Sequence, residues 1–427
     1  MANGARPAPG AFLARHFCRA LTRLPSLSHP SPSRHLGLYA DAFTPLNRGF
    51  DSTYGFLTGG EDHLTQAGDV GAKCGNGATV YDIWSAGAVA SQFQGNYTAY
   101  EINDRAVGVI EAHPADAPLF MYLALHNTHA PIQAEQKYLD LYPDVTDSLQ
   151  QRFWAMVSTV DDTVKNVTAA LKARGMWNNT LLVWLTDNGS PIQVAGSNAP
   201  LRGVKGSNWE GGVRTPAVVS GGLLPPAQRG QRSAGVAHIV DWYATFCGLA
   251  GVPAADPAGP EPEIDSLDLW PWLSGAAPAS PRDAGLTVLD HSMYRNTTTG
   301  AIRLGRYKLL VGGSFSSGEA PAKGEWGASW FGAFSPNKTF PGTAFYACPP
   351  SAPCLFDVVA DPGEHNDLAA SQPALLASML ERFRALEATY HPPVEGPAAE
   401  NAELCAAAEA SRAANGGKLF VQPWRQP

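Results

Sequence analysis

The chain has 427 residues, 44% of them hydrophobic and 16% charged, with a formal net charge of −8. That length supports two domains with a substantial core. The charge argues against general nucleic-acid binding, which needs a basic face, so an anionic substrate would require a local cationic site. No apolar run approaches the ~18 residues of a membrane helix.

Residues 1–34 form a Pro/Ser-rich basic leader. Met1 to Ala40 contains no acidic residue, while Arg6, Arg15, Arg19, Arg23 and Arg34 are spread along it. No apolar core of a secretory signal stands out. The leader reads as a disordered segment, an organellar transit peptide or sequence foreign to the fold that follows.

Residues 35–285 read as an α/β domain. "PLFMYLAL" (118–125) has the length and composition of a buried strand and ends at "HNTHAP". Asp147 to Arg174 reads as one helix, capped by Asp147 and stopped by Gly175. Its apolar stripe would be Phe153, Val157, Val160, Val164, Val167 and Leu171. "TLLVWLT" (180–186) is a second strand, ending at "DNG", and "TPAVVSGG" from Thr215 is a third. "HIVDWYATFCGLAG" from His238 is a helix closed by Gly248 or Gly251. Near-continuous apolar strands interleaved with helices imply a sheet buried on both faces, with sites at the strands' carboxyl ends.

A Pro/Ala-rich loop from Pro253 to Glu263 precedes a change of texture. Residues 286–396 read as a smaller α+β domain of short strands, with a helix presenting Leu376, Leu380, Phe383 and Leu386. Residues 397–427 read as an Ala-rich tail.

Three polar clusters could carry chemistry. Asp187-Asn188-Gly189 alone reads as a tight turn, but Asp and Asn at a strand end also offer oxygens to a hard cation. Lys205, between Gly203 and Gly206, is a compact cation in a loop whose glycines allow close approach of a ligand, or else an ordinary surface lysine. His126 and His129 in "LHNTHAP" are loop residues or, for His129, a general acid. Six scattered cysteines point to neither redox compartment, but the sequons at Asn96, Asn166, Asn178, Asn296 and Asn337, beside the Cys348/Cys354 spacing, lean toward a secretory, lysosomal or extracellular location. Cys348 and Cys354 are close enough in sequence to be bridged.

The order of these clusters is more specific than any one of them. "HLGLY…PLNRGFDSTYGFLTGGEDH" (35–63), "ALHNTHAPIQ", "LTDNGS", "RGVKGSNWEGGVRTPAVV" and "LFDVVADPGEHNDLA" together resemble the sulfatase family, in particular its arylsulfatase B-like group. The resemblance runs from about His35 to about Val394. It implies an alkaline-phosphatase/sulfatase-like α/β domain, with a mixed sheet between helices, and a smaller C-terminal domain with an antiparallel sheet.

It also implies a sulfuric ester hydrolase acting on aryl sulfates or sulfated glycans, with Ca²⁺ and a formylglycine nucleophile. By this resemblance Asp187 and Asn188 would be metal ligands. Lys205 would contact the sulfate, His129 would face the leaving oxygen, and His35 would lie near the formylglycine. The family's C/S-x-P-S-R motif and its early Asp pair do not occur in these residues. The "PSR" of Pro32 to Arg34 has Pro30 where the motif needs Cys or Ser, and Ser33 stands where the family has a second sulfate-contacting lysine. Asp161-Asp162 lies within the long helix. The expectations are therefore weak turnover by this chain and difficulty in folding, because lost early strands would expose sheet edges. The alternatives are a non-catalytic protein that binds sulfated glycans and, more distantly, a metallo-phosphodiesterase with a hydroxyl nucleophile.

Overall fold

The computed structural model describes residues 40–68, 79–191, 194–254, 264–283, 286–294, 297–312, 348–387 and 399–422. The leader, His35, most of the 253–263 loop, Asn296 and Asn337 lie outside the described residues.

The first domain begins with short strands. β1 (Tyr54–Gly55), β3 (Trp84–Ser85) and β4 (Ala88–Val89) form an antiparallel sheet in the order β1-β3-β4, and β2 (Val80–Tyr81) lies outside it. Helix α1 (Thr98–Ala112) follows, then the short α2 (Gln136–Leu139) and the long α3 (Ser148–Ala173). Asp147 caps α3 as the sequence implies, its Oδ1 accepting the Gln150 N–H at 2.8 Å. Gly175 follows at φ +69°, a conformation that suits glycine at a helix end.

The buried face of α3 differs from the expected stripe. It consists of Ala155, Met156, Thr159, Thr163, Val167, Ala170 and Leu171, while Val157 is exposed. Small residues let α1 approach closely, so Ala106 and Ile110 meet Val167, Ala170 and Leu171 in one cluster. The hydroxyls of Thr159 and Thr163 turn back onto the Met156 and Thr159 carbonyls, which makes their burial tolerable.

Residues 118–125 do not form a strand. The run lacks a ladder partner among the described residues, and it alternates instead. Leu119, Met121 and Leu123 pack under α1 and α3, while Tyr122 is exposed. The expected second and third strands are β5 (Leu182–Leu185) and β6 (Ala217–Ser220), paired antiparallel from Leu182↔Ser220 to Leu185↔Ala217. They are not buried on both faces: β5 is half-buried and Val218 on β6 is exposed. Between them lies α4 (Glu210–Val213). Helix α5 (Asp241–Leu249) ends at Gly251, φ +66°, and Gly248 lies inside it; α6 (Trp270–Leu273) completes the domain.

The second sheet has the order β10-β9-β8-β7 and is antiparallel throughout. Its strands are β7 (Leu286–Tyr294), β8 (Thr297–Leu304), β9 (Tyr307–Val311) and β10 (Cys354–Asp357). Alternation assigns its two faces. Ile302, Leu309, Val311 and Leu355 meet Met379 and Phe383 of helix α7 (Pro373–Glu387), with Leu376, Leu380 and Leu386 beside them. Ala301, Leu310, Cys354 and Phe356 turn the other way, onto Trp209 of the first domain. Cys348 and Cys354 are disulfide-bonded, with Cα atoms 5.3 Å apart.

The Ala-rich stretch beyond is structured. Helix α8 (Ala399–Ala410) leads to β11 (Leu419–Phe420), which pairs in parallel with β2. Leu404, Ala408, Leu419 and Val421 form a core cluster with Val80, and Phe420 is fully buried, a side-chain transfer of roughly 2–3 kcal/mol.

Candidate functional site

The carboxyl end of β5 delivers Asp187 and Asn188 into a turn. Asp187 is exposed and its Oδ1 accepts the Asn188 N–H at 2.8 Å; the Asn188 amide donates to the Gly189 carbonyl at 2.9 Å. The next two residues bind this turn to the loop that carries Lys205. Gly189 N–H donates to Gly212 O at 3.0 Å, and Lys205 N–H donates to Ser190 O at 3.4 Å. Asn198 clamps the junction from the side. Its Oδ1 accepts Ser190 N–H at 2.8 Å, and its amide donates to Ser190 O at 2.8 Å and Gly203 O at 3.1 Å. Gly189 is obligatory here, because a Cβ would lie 1.7 Å from Gly211 O.

The Lys205 loop is closed on itself. Gly211 N–H donates to Arg202 O at 2.6 Å, and the Ser207 hydroxyl donates to Val204 O at 2.7 Å. Gly203 and Gly206 adopt φ +86° and +83°, so the glycines flanking Lys205 serve the turn geometry as well as ligand access. Lys205 itself is half-buried.

The second group lies where residues 118–125 end. His126 is buried and His129 half-buried. His63 links them: its ring stacks on His126 with centroids 4.0 Å apart, and its Nε2 lies 3.0 Å from His129 O. His129 Nδ1 is 2.8 Å from Ala130 O, and Gly60 leaves room for the ring, since a Cβ there would come within 3.2 Å of His129 Cε1. Glu61 is buried beside His126, with Oε1 3.7 Å from Nδ1, and accepts the Thr98 hydroxyl at 2.9 Å. Burial raises the Glu61 carboxyl to about 8, partly offset by Thr98, and burial holds His63 below its ordinary value. Asp82, fully buried, fixes the approach by accepting the N–H groups of Leu57 and Thr58.

Thus Asp187, Asn188 and Lys205 share one junction, His129 belongs to the histidine group, and His35 lies outside the described residues. Sequence reasoning missed Asn198, Glu61, His63 and Asp82. The only signal the sequence offered for Glu61 and His63 was their spacing of two residues in "GGEDH" (59–63).

The donor chemistry of Asp187 and Asn188 suits a hard cation, but Ca²⁺ takes six to eight oxygens. No group of three or more His, Cys, Asp or Glu residues able to hold a metal occurs among the described residues. These residues alone do not make a Ca²⁺ site.

Comparison with known proteins bears on the whole arrangement. The Sulfatase family model matches residues 33–252. Arylsulfatase J of Mus musculus is 30% identical over 374 residues, covering 84% of this chain and 59% of that protein. N-acetylgalactosamine-6-sulfatase of Mus musculus is 29% identical over 354 residues, covering 78% of this chain and 61% of that protein. The chain therefore spans about three-fifths of the length of these relatives. Among solved structures, Ps i-CgsB in complex with k-i-k-neocarrahexaose superposes with a TM-score of 0.66 at 21% identity, covering 95% of this chain and 88% of that one. BT4656 in complex with D-glucosamine-2-N,6-O-disulfate gives a TM-score of 0.52 at 15% identity, covering 82% and 78%. At these identities the structures establish a shared fold.

Proposed function

The chain belongs to the sulfatase family, and from that premise we propose that it serves the hydrolysis of sulfate esters, on aryl compounds or sulfated glycans. The observation that carries the proposal is the junction of the Asp187-Asn188 turn with the Lys205 loop through Gly189, Ser190 and Asn198. A sulfate ester presents anionic oxygens, and Lys205 is the cation held beside this strand end. Preorganised positive charge stabilises the negative charge that builds during S–O cleavage. His129, anchored through its carbonyl by His63 and given ring space by Gly60, is the acid for the leaving oxygen. Ca²⁺, when bound, would offset the sulfate charge, with Asp187 and Asn188 as part of its shell. His35 is assigned to the nucleophile's surroundings. No C-x-P-S-R or S-x-P-S-R occurs in the sequence, so the proposal gives this chain the sulfate-binding and proton-donating part of the reaction.

The Cys348–Cys354 disulfide, the lack of free cysteines among the described residues, and exposed Asn96 and Asn178 support passage through the secretory route. No helix among the described residues is long and apolar enough to cross a membrane.

The test is to titrate the purified chain with a sulfated oligosaccharide and with its desulfated counterpart, and to assay a generic aryl sulfate in parallel. Sulfate-dependent binding that Lys205→Ala abolishes, with turnover near background, is the expected result. Equal affinity for both oligosaccharides would remove the sulfate-site reading. Fast turnover lost on Lys205→Ala would show that the chain carries its own nucleophile.

A further inference from the structure

The Lys205 loop continues into Trp209 and Glu210, and both are anchored in the second domain. Lys308 of β9 has its side chain fully buried, with Nζ 2.9 Å from Glu210 Oε1 and 2.8 Å from Glu364 Oε1. Glu364 also reaches back into the loop, where its Oε2 accepts the Glu210 backbone N–H at 2.7 Å. Glu364 adopts φ +55°, an uncommon conformation for a non-glycine residue, so the 361–364 turn is shaped to present it. One residue earlier in the loop, Trp209 packs on Phe356 with ring centroids 5.5 Å apart, and Arg202 lies over the Trp209 ring at 4.8 Å. Trp209 shares a cluster with Leu310, Cys348 and Cys354, so the disulfide forms part of its seat.

We propose that Lys308 is a positioning residue for Lys205: the Glu210–Lys308–Glu364 network, with Trp209, locks the loop's backbone against the second sheet and so sets where the Lys205 ammonium stands. The geometry excludes a purely local role. Alternation on β9 directs Lys308 and Leu310 to the first domain, and Leu309 and Val311 to α7. Lys308 therefore contributes to the interface and not to the helix-packed core of its own domain. Burial alone would drive its ammonium toward neutrality, but Glu210 and Glu364 outweigh burial and raise its pKa, which keeps the charge. Two carboxylates on one ammonium also fit the raised carboxyl of Glu364, pushed up first by its own burial and then by Glu210.

This inference rests on the sulfate-contacting role proposed for Lys205, and two measurements separate the two. The first needs no ligand: amide hydrogen exchange across 203–212 in the full chain. Lys308→Met, and the milder Glu364→Gln, should speed exchange in that loop at least tenfold while the β8–β9 ladder stays protected. Arg306→Ala, which breaks only the half-exposed Arg306–Asp357 pair on the same sheet, should leave the loop unchanged. The second is the Kd for the sulfated oligosaccharide against its desulfated form. The two network variants should weaken the sulfate-dependent part at least tenfold and leave any sulfate-independent binding alone. Unchanged loop exchange in both variants overturns the proposal, as does a loosened loop with an unchanged Kd for the sulfated ligand. If the unmodified chain shows no preference for sulfate yet the loop loosens, the coupling stands and the sulfate reading falls.

Discussion

The His63 imidazole joins the two histidines of the 126–129 loop at once, stacking on His126 at 4.0 Å and reaching the His129 carbonyl with Nε2 at 3.0 Å. Behind it, Glu61 is buried against His126 and Thr98, with a carboxyl raised to about 8 mainly by burial. A raised carboxyl favours folding in its neutral form. Its contribution is complete below about pH 4.5 and is lost as pH rises through about 8. Glu61→Gln, which cannot ionise, should match the unmodified chain near pH 5 and exceed its Tm by several degrees near pH 9, since each tenfold change in proton affinity between the folded and unfolded states is worth about 1.4 kcal/mol. Thermal melts of both proteins from pH 5 to 9 check this; parallel profiles would show that Glu61 is ionised in the folded state. His63, held low by burial, acts at the other end, its contribution being lost as pH falls below about 6.5.

Gly189→Ala should disconnect the strand end from the Lys205 loop. The added Cβ would lie 1.7 Å from Gly211 O, a backbone atom that cannot rotate away. Overpacking of this kind costs about 1–3 kcal/mol. Sulfate-dependent binding should fall with stability, whereas Gly108→Ala, on helix α1 with open space around it, should affect neither. Ligand titration and denaturant midpoints of the two variants give the comparison.

Arg282 and Asp241 form a buried bidentate pair, Nε–Oδ2 2.6 Å and Nη2–Oδ1 2.5 Å, and Asp241 also accepts the N–H groups of His238 and Leu267. Removing one partner strands the other charge. Arg282→Met should cost about 3–5 kcal/mol, while Arg282→Met combined with Asp241→Asn should recover part of that loss. Urea unfolding of the single and double variants measures the recovery; its absence would show that packing, not charge, sets the cost.

Asp147→Ala should remove the α3 cap and lower stability by about 1 kcal/mol. Asp147→Asn and Asp147→Ser, which can still accept the Gln150 N–H, should lose a smaller part. Chemical denaturation midpoints of the three variants resolve the order.

Local features were legible in the sequence because their causes are local. Asp147 and Gly175 bound α3, Gly251 ends α5, and Leu376, Leu380, Phe383 and Leu386 line α7, all from spacing and capping alone. The buried side of α3 was not legible. Periodicity finds an apolar face, but only the partner helix decides that Thr159 and Thr163 go in while Val157 stays out. Residues 118–125 mislead in the same way, since an apolar run becomes a strand only where another edge meets its N–H and C=O groups. In the candidate site, Asp187, Asn188, Lys205 and His129 came from motif order, and the structure joins the first three through backbone bonds. Lys308 was unreadable, because a lysine in "GRYKLLV" looks like a surface residue until Glu210 and Glu364, both far away in sequence, close around it.

The pairing of Leu419–Phe420 with Val80–Tyr81 sets an order of events during translation. The strand at 80–81 leaves the ribosome early, and its partner follows only after the whole second domain. Until residue 420 emerges, Val80 and Ile83 lack the side chains that cover them, and this part of the first domain must wait, open, for a segment its own half of the chain does not encode. A stop codon or a bulky fusion near residue 415 would therefore damage the first domain more than the second.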